Sequence, residues 1–243
     1  MIEHIEPGIL PPNKKACIAL TSWKKRINTV GLTIFNLFDT CGPDYHIVLT
    51  LSKEEFPKKE QELPNDLLMM NRAGIFELLW VKHNTNCFKK ALPAMCKYNN
   101  VPVISVDDGQ IYTRNVAAEL MKRYAANKNA IYAWRTATYD SILMPVGCAG
   151  ILYPPKFPAN FAYSLLDRTI IKTFHDDAFI GILANMMNID IVNVDETYSN
   201  PFILLDSMET YGITKNNPEK DKKMVLIIKH ILKTLTSKLN KLG

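Results

Sequence analysis

The 243-residue chain has few cysteines, and they are arranged without a pattern. Cys17, Cys41, Cys87, Cys96 and Cys148 include no CxxC pair and are odd in number. That argues against a disulfide scaffold and against a cysteine zinc site, and for reduced thiols in a cytosolic setting. No apolar run approaches the roughly 18 to 20 residues of a membrane span. The opening, MIEHIEPGILPPNKK, has no charged-then-apolar leader pattern. The expectation is a soluble cytoplasmic chain, or one that lies on the inner membrane face. Internal repeats and low-complexity segments are also missing.

Net charge is +5, but eight lysines fall within residues 214–243 against Glu219 and Asp221, so the rest of the chain is close to neutral. A nucleic-acid partner is therefore not suggested by the body of the chain. In Lys220–Leu242, Met224, Ile228, Ile231, Leu235, Leu239 and Leu242 form one apolar stripe with lysines on the other faces. This spacing predicts an amphipathic helix of about 23 residues, about 35 Å long. Three uses are open to residues 219–243: lying on an anionic membrane surface, packing on the domain, or pairing with another helix.

Strand and helix patterns alternate at short intervals through the remainder. ACIAL (Ala16–Leu20), HIVLTL (His46–Leu51), IFELLWV (Ile75–Val81), Val101–Val106, Ala130–Trp134 and Ile189–Val194 read as strands. Ile27–Phe38, a polar stretch from Ser52 to Glu62, Phe88–Tyr98, Asn115–Asn127 and Thr173–Met187 read as helices. The fold class is α/β, with a mostly parallel sheet flanked by helices. Residues 1–206 form the expected main domain, and 207–243 a linker and the basic helix.

The central stretch is VPVISVDDGQIY (Val101–Tyr112), where a β-branched run ends in Asp107, Asp108 and Gly109. In open α/β sheets ligands sit beyond the carboxyl ends of such strands. Paired acids there hold a divalent cation or ligand hydroxyls; the plain alternative is a solvated Asp-Gly turn. Thr21 and Ser22, followed by Lys24, Lys25 and Arg26, leave the first strand in the same way. Gly147 and Gly150 in MPVGCAGILYPP allow either close backbone approach to a ligand or a bulge. His175, Asp176 and Asp177 open a helix, where acids commonly serve only its dipole.

The ordered blocks IALTSWKKRI, IVLTLSKEEFPKKEQELP, FKKALPAM, PVISVDDGQIY, GILYPP and HDDAF together resemble bacterial glycosyltransferases of the GT-A fold. The resemblance implies a Rossmann-like domain that moves a sugar from a nucleotide-diphosphate donor, UDP-sugars favoured, to a hydroxyl of a glycan or lipid-linked acceptor. It places Thr21, Ser22 and Arg26 near the donor's base and ribose, and Lys90 rather than Lys89 at its diphosphate. Asp107 and Asp108 match the first two acids of the family's metal motif, whose third acid is replaced by Gly109. Asp108 is thus the candidate ligand for Mn²⁺ or Mg²⁺, with metal use weakened or dispensable. Gly147, Gly150, Trp134 and Tyr153 would serve the acceptor, Trp134 and Tyr153 by stacking. Asp177, ahead of Asp176, would be the base, with His175 as an alternative base or metal ligand. A nucleotide-sugar-binding protein without transferase activity is the competing expectation. Either requires the turn after the first strand, the twin aspartates and the acidic helix start to share one cavity.

Overall fold

The computed structural model describes residues 3–139, 141–173, 175–195, 197, 199–205, 229, 232–233 and 236–237. The strands are β1 (Ala16–Thr21), β2 (Tyr45–Ser52), β3 (Glu77–Val81), β4 (Val103–Ser105), β5 (Gln110–Tyr112), β6 (Ile131–Tyr139), β7 (Ile142–Tyr153), β8 (Ile191–Asn193) and β9 (Phe202–Leu204). The helices are α1 (Val30–Cys41), α2 (Asn65–Arg72), α3 (Leu92–Lys97), α4 (Val116–Tyr124), α5 (Ala159–Ser164), α6 (Arg168–Thr173) and α7 (Asp176–Met186). Among the described residues, seven strands form one sheet in the order β3-β2-β1-β4-β7-β6-β8. Its left half is parallel, while β7 runs antiparallel to both β4 and β6. β5 and β9 form a separate antiparallel pair.

Both faces of the sheet are covered, which is why β1 reads as an unbroken apolar run. Cys17 and Ala19 point into a core layer shared with α3, α5 and α7. Ala16, Ile18 and Leu20 point the other way, against α1, α2 and α4. Val30, Ile34 and Leu37 of α1 are fully buried there, each worth about 1.5–3 kcal/mol of apolar transfer. Gly42, at φ 77°, turns the chain out of α1, a conformation that suits glycine. Strand order changes direction beside β1, whose neighbours are β2 and β4, so the crevice beyond the carboxyl ends of β1 and β4 is a topological switch point.

Several expected elements differ. Ser52–Glu62 contains only a 3₁₀ turn at Lys59–Glu62, and the helix starts after Pro64 instead. Pro57 has no N–H to give an α-helix through that stretch. Phe88–Tyr98 splits into a 3₁₀ turn (Asn86–Lys89) and the short α3, with Pro93 in its first turn. Of the two readings of the glycine segment the bulge is seen, inside a longer strand than expected: Gly147 and Gly150 lie within β7. Ala133 pairs with Ile151 but Arg135 with Val146, so residues 147–150 bulge opposite Trp134. The expected tail helix lies outside the described residues, except that Lys229, Leu232, Lys233, Thr236 and Ser237 are helical and Leu232 packs on the α3/α5/α7 core layer. Among the described residues no helix is long and apolar enough to cross a membrane.

A polar knot ties β2, β3 and α3 at the opposite edge of the sheet. Glu77 accepts from His46 Nε2 (2.8 Å), Lys97 Nζ (2.6 Å) and the Tyr98 hydroxyl. Burial alone would raise its carboxyl pKa, but these donors outweigh burial and take it down from 4.5 to about 2. A depressed folded-state value stabilises above the unfolded value and is lost as pH falls through the folded one. Glu77→Gln should therefore cost on the order of 2 kcal/mol at neutral pH. Its stability should also change less than the wild type's between about pH 5 and 2; denaturant titrations across that range measure both.

Candidate functional site

The site is built where β1 and β4 end. Val106 N–H donates to the Ala19 carbonyl (3.0 Å), so the two strands leave the sheet side by side. The turn after β1 is closed by Arg26 N–H and Ile27 N–H on the Trp23 carbonyl, each at 2.9 Å. The Asp107–Asp108 turn is gripped from two sides. Thr33 of α1 donates to the Asp108 carbonyl (3.0 Å), and Asp107 N–H donates to the Tyr112 hydroxyl (3.2 Å). Asn36 in turn brackets the Tyr112 backbone through both its amide groups.

Across this frame the charged groups meet. Arg26 Nη2 lies 2.9 Å from Asp108 Oδ1, with Asp108 only 3% exposed. Lys90 Nζ lies 3.1 Å from Asp107 Oδ1 and 3.2 Å from Asp176 Oδ2. Asp177 Oδ2 accepts the Gly147 N–H (3.0 Å), and its Oδ1 accepts the Ala178 N–H (2.8 Å). A side chain at Gly147 would come within 2.8 Å of Lys90 Nζ and 3.3 Å of Asp177 Oδ2. The missing Cβ in the β7 bulge is what lets the ammonium lie against the backbone. The three regions that the sequence sets far apart thus adjoin one another.

Burial dominates the site's electrostatics. It pushes the Asp108 carboxyl up from 3.8 to about 6, against the pull of Arg26 and of the nearby Ser22 hydroxyl; Asp107 adds to the rise. Asp108 Oδ2 and Ser22 Oγ are both buried and, among the described residues, have no partner in hydrogen-bonding geometry. Burial also raises Asp176, which Lys90 opposes and Asp177 and Asp107 reinforce. For Lys90, burial favours the neutral amine, but Asp107, Asp176 and Asp177 overcome it and hold the ammonium well above the ordinary lysine value.

Other expected residues fall elsewhere. Thr21 donates its hydroxyl to the Thr50 carbonyl (2.7 Å), which ties β1 to β2. Trp134 is buried; its indole N–H lies 3.2 Å from both Asp195 Oδ2 and the Ser199 carbonyl, and Arg114 covers the ring at 5.7 Å. Tyr153 is 1% exposed and tilts against Phe157. Neither ring offers an open face for a sugar. Gly150, at φ 112°, faces Leu120 of α4 rather than the charged cluster. His175 occupies the N-cap position of α7 without bonding the helix end through its side chain.

The sequence gives no sign of a second clamp behind the site. The fully buried Lys89 pairs with Glu55 Oε2 (3.2 Å) and donates to Asn84 Oδ1, while Glu55 Oε1 accepts the Lys24 N–H (3.2 Å). The connections after β2 and β3 hold the β1 turn in this way, and no local spacing signals it.

The donor set fits a divalent cation poorly. Asp107 and Asp108 each face a side-chain cation at ion-pair distance, Gly109 supplies no third carboxylate, and among the described residues no group of three His, Cys, Asp or Glu is placed to hold a metal ion. Comparison of the sequence with protein-family models and with curated proteins gives no match to either. Carboxyl titration by NMR should place the Asp108 midpoint near 6. Ser22→Ala and Arg26→Gln should each move it higher, because each removes a group that favours the charged form.

Proposed function

We propose that the chain is a glycosyltransferase of the GT-A type, acting on a nucleotide-diphosphate sugar, with UDP-sugars as the favoured donors. The observation that supports this reading is the convergence of Arg26, Lys90, Asp107, Asp108 and the Asp176–Asp177 helix start at a sheet switch point. In the proposed reaction an acceptor hydroxyl oxygen bonds to the anomeric carbon as the bond from that carbon to the donor phosphate breaks. The electron pair leaves with the nucleoside diphosphate, and the hydroxyl proton passes to a carboxylate.

The residues divide this work by exposure. Lys90, at the mouth of β4, offsets charge that develops on the leaving diphosphate; a fixed donor of this kind is worth about 10²–10³ in rate. Asp177 suits the base: it is half-buried where Asp176 is buried, and two backbone N–H groups aim its carboxylate. Acceptors are glycans or lipid-linked sugars in this reading. Lysine-rich residues 219–243 would favour an anionic membrane surface near such lipids.

A second reading has a specific observation behind it. Both aspartates after β4 are already neutralised by Arg26 and Lys90, and Gly109 stands where a third acid would be, an arrangement that serves nucleotide-sugar binding without turnover. One experiment separates the two. UDP binding is followed by calorimetry, and UDP release from a panel of UDP-sugars is followed with glycan acceptors. The transferase reading predicts release that falls about 10²–10⁴-fold in Asp177→Asn while UDP binding persists. Binding without release from any donor, with release gained in Gly109→Asp, establishes the second reading instead.

A further inference from the structure

Behind the Asp107–Asp108 turn lies a buried polar pair that packing alone does not explain. Gln110 is fully buried, and its Oε1 accepts from the Tyr112 hydroxyl at 2.7 Å. Its amide nitrogen has no partner in hydrogen-bonding geometry among the described residues. A half-satisfied buried amide is a poor stabiliser, and an apolar side chain of similar shape would serve the core at least as well. What the amide does is direct the phenol. A tyrosine hydroxyl carries one hydrogen that rotates to suit its surroundings. With that hydrogen committed to Gln110, the oxygen is left to accept the Asp107 N–H at 3.2 Å. The ring itself is fixed. Asn36 of α1 holds the Tyr112 backbone through both its amide groups, and Phe202 of β9 meets the ring edge-on, centroids 6.2 Å apart. Burial keeps the phenol protonated, with Asp107 adding to the effect. Other elements hold the rest of the turn: Thr33 donates to the Asp108 carbonyl and the Leu205 N–H to the Gly109 carbonyl, both at 3.0 Å.

Resting on the proposed nucleotide-sugar reading, we propose that Tyr112 and Gln110 are positioning residues for the diphosphate end of the donor. Gln110 sets the direction of the phenol O–H, and the phenol oxygen sets the Asp107 N–H. The Asp107 carboxylate is thereby held 3.1 Å from Lys90 Nζ before any nucleotide arrives. Neither Tyr112 nor Gln110 touches the donor in this scheme; both act through Asp107 on Lys90. A cation already aimed loses little freedom when its ligand binds, so more of its attraction shows as affinity. A complete set of residues left about 1 Å too loose fails for want of this kind of support. The half-satisfied amide of Gln110 follows from the same role, since its oxygen is the part that orients the phenol.

Tyr112→Phe keeps the ring and its contact with Phe202 and removes only the hydroxyl; Gln110→Met then replaces the amide it faced. UDP is titrated by calorimetry into the full chain and its variants, in EDTA and again with Mg²⁺, and urea unfolding is followed in parallel. Replacing both partners of a buried hydrogen bond by apolar groups of like shape leaves stability nearly unchanged. The double variant should therefore unfold at or above the wild-type urea midpoint, yet bind UDP about three- to tenfold more weakly. Tyr112→Phe alone should weaken UDP binding to a similar extent. In an Asp107→Asn background the same two changes should weaken binding by less than about twofold, because the carboxylate through which they act is gone. UDP affinity unchanged in the double variant overturns the positioning role while leaving nucleotide binding intact. So does weakening that persists in full in the Asp107→Asn background, or that merely tracks lost stability across the variants. Wild type that binds no UDP, with or without Mg²⁺, overturns the nucleotide-sugar reading itself.

Discussion

A buried ammonium is costly unless carboxylates surround it, and a buried carboxylate is costly unless a cation does. Lys90 and Asp176 meet both conditions for each other, and Asp107 completes the set. This one exchange ties three separately folded pieces: the turn before α3, the end of β4 and the start of α7. Removing Lys90 would leave Asp176 stranded, a change of the kind that costs about 3–5 kcal/mol. The β7 bulge is part of the same constraint, because a side chain at Gly147 would come within 2.8 Å of Lys90 Nζ and push the ammonium from its place. Local backbone choice, packing and charge therefore agree at this point.

The sheet explains why these pieces can meet. Parallel β1 and β4 deliver their polar exits to one edge, and the antiparallel β7 brings its bulge back to that same edge beside β4. α7 packs on β7 closely enough that a side chain at Gly181 would reach within 2.8 Å of the Pro145 ring, which sets where Asp176 and Asp177 arrive. The hollow bounded by Met95, Asn99, Lys156, Phe157 and Phe161 lies at the other edge, where β4 begins and β7 ends. It has no acidic or basic cluster comparable to that around Lys90.

Much of this was legible along the chain. Val101–Tyr112 announces a buried strand with acids at its exit because β-branched periodicity and a run-ending carboxylate pair are both local signals. The Lys90–Asp107 and Arg26–Asp108 pairings join residues whose types sequence can flag, although only the fold decides which cation meets which acid. β7 was not legible as a long strand, since Pro145, Gly147 and Gly150 read as loop residues and the bulge that absorbs them depends on pairing with β6. Trp134 and Tyr153 look like ligand platforms because aromatic rings serve cores and sugars equally well; burial alone tells them apart. The Lys89–Glu55–Asn84 clamp left no trace, being assembled from loops with no shared spacing.

The central claim is that one anion-receiving pocket lies at the carboxyl edge of β1 and β4. A crystal structure of the chain soaked with UDP tests it most directly. The account predicts diphosphate oxygens within hydrogen-bonding distance of Lys90 Nζ, with the nucleoside lying toward Ser22 and Arg26. Nucleotide density at the hollow near Phe157 and Phe161, or any pose that leaves Lys90 untouched, would contradict it.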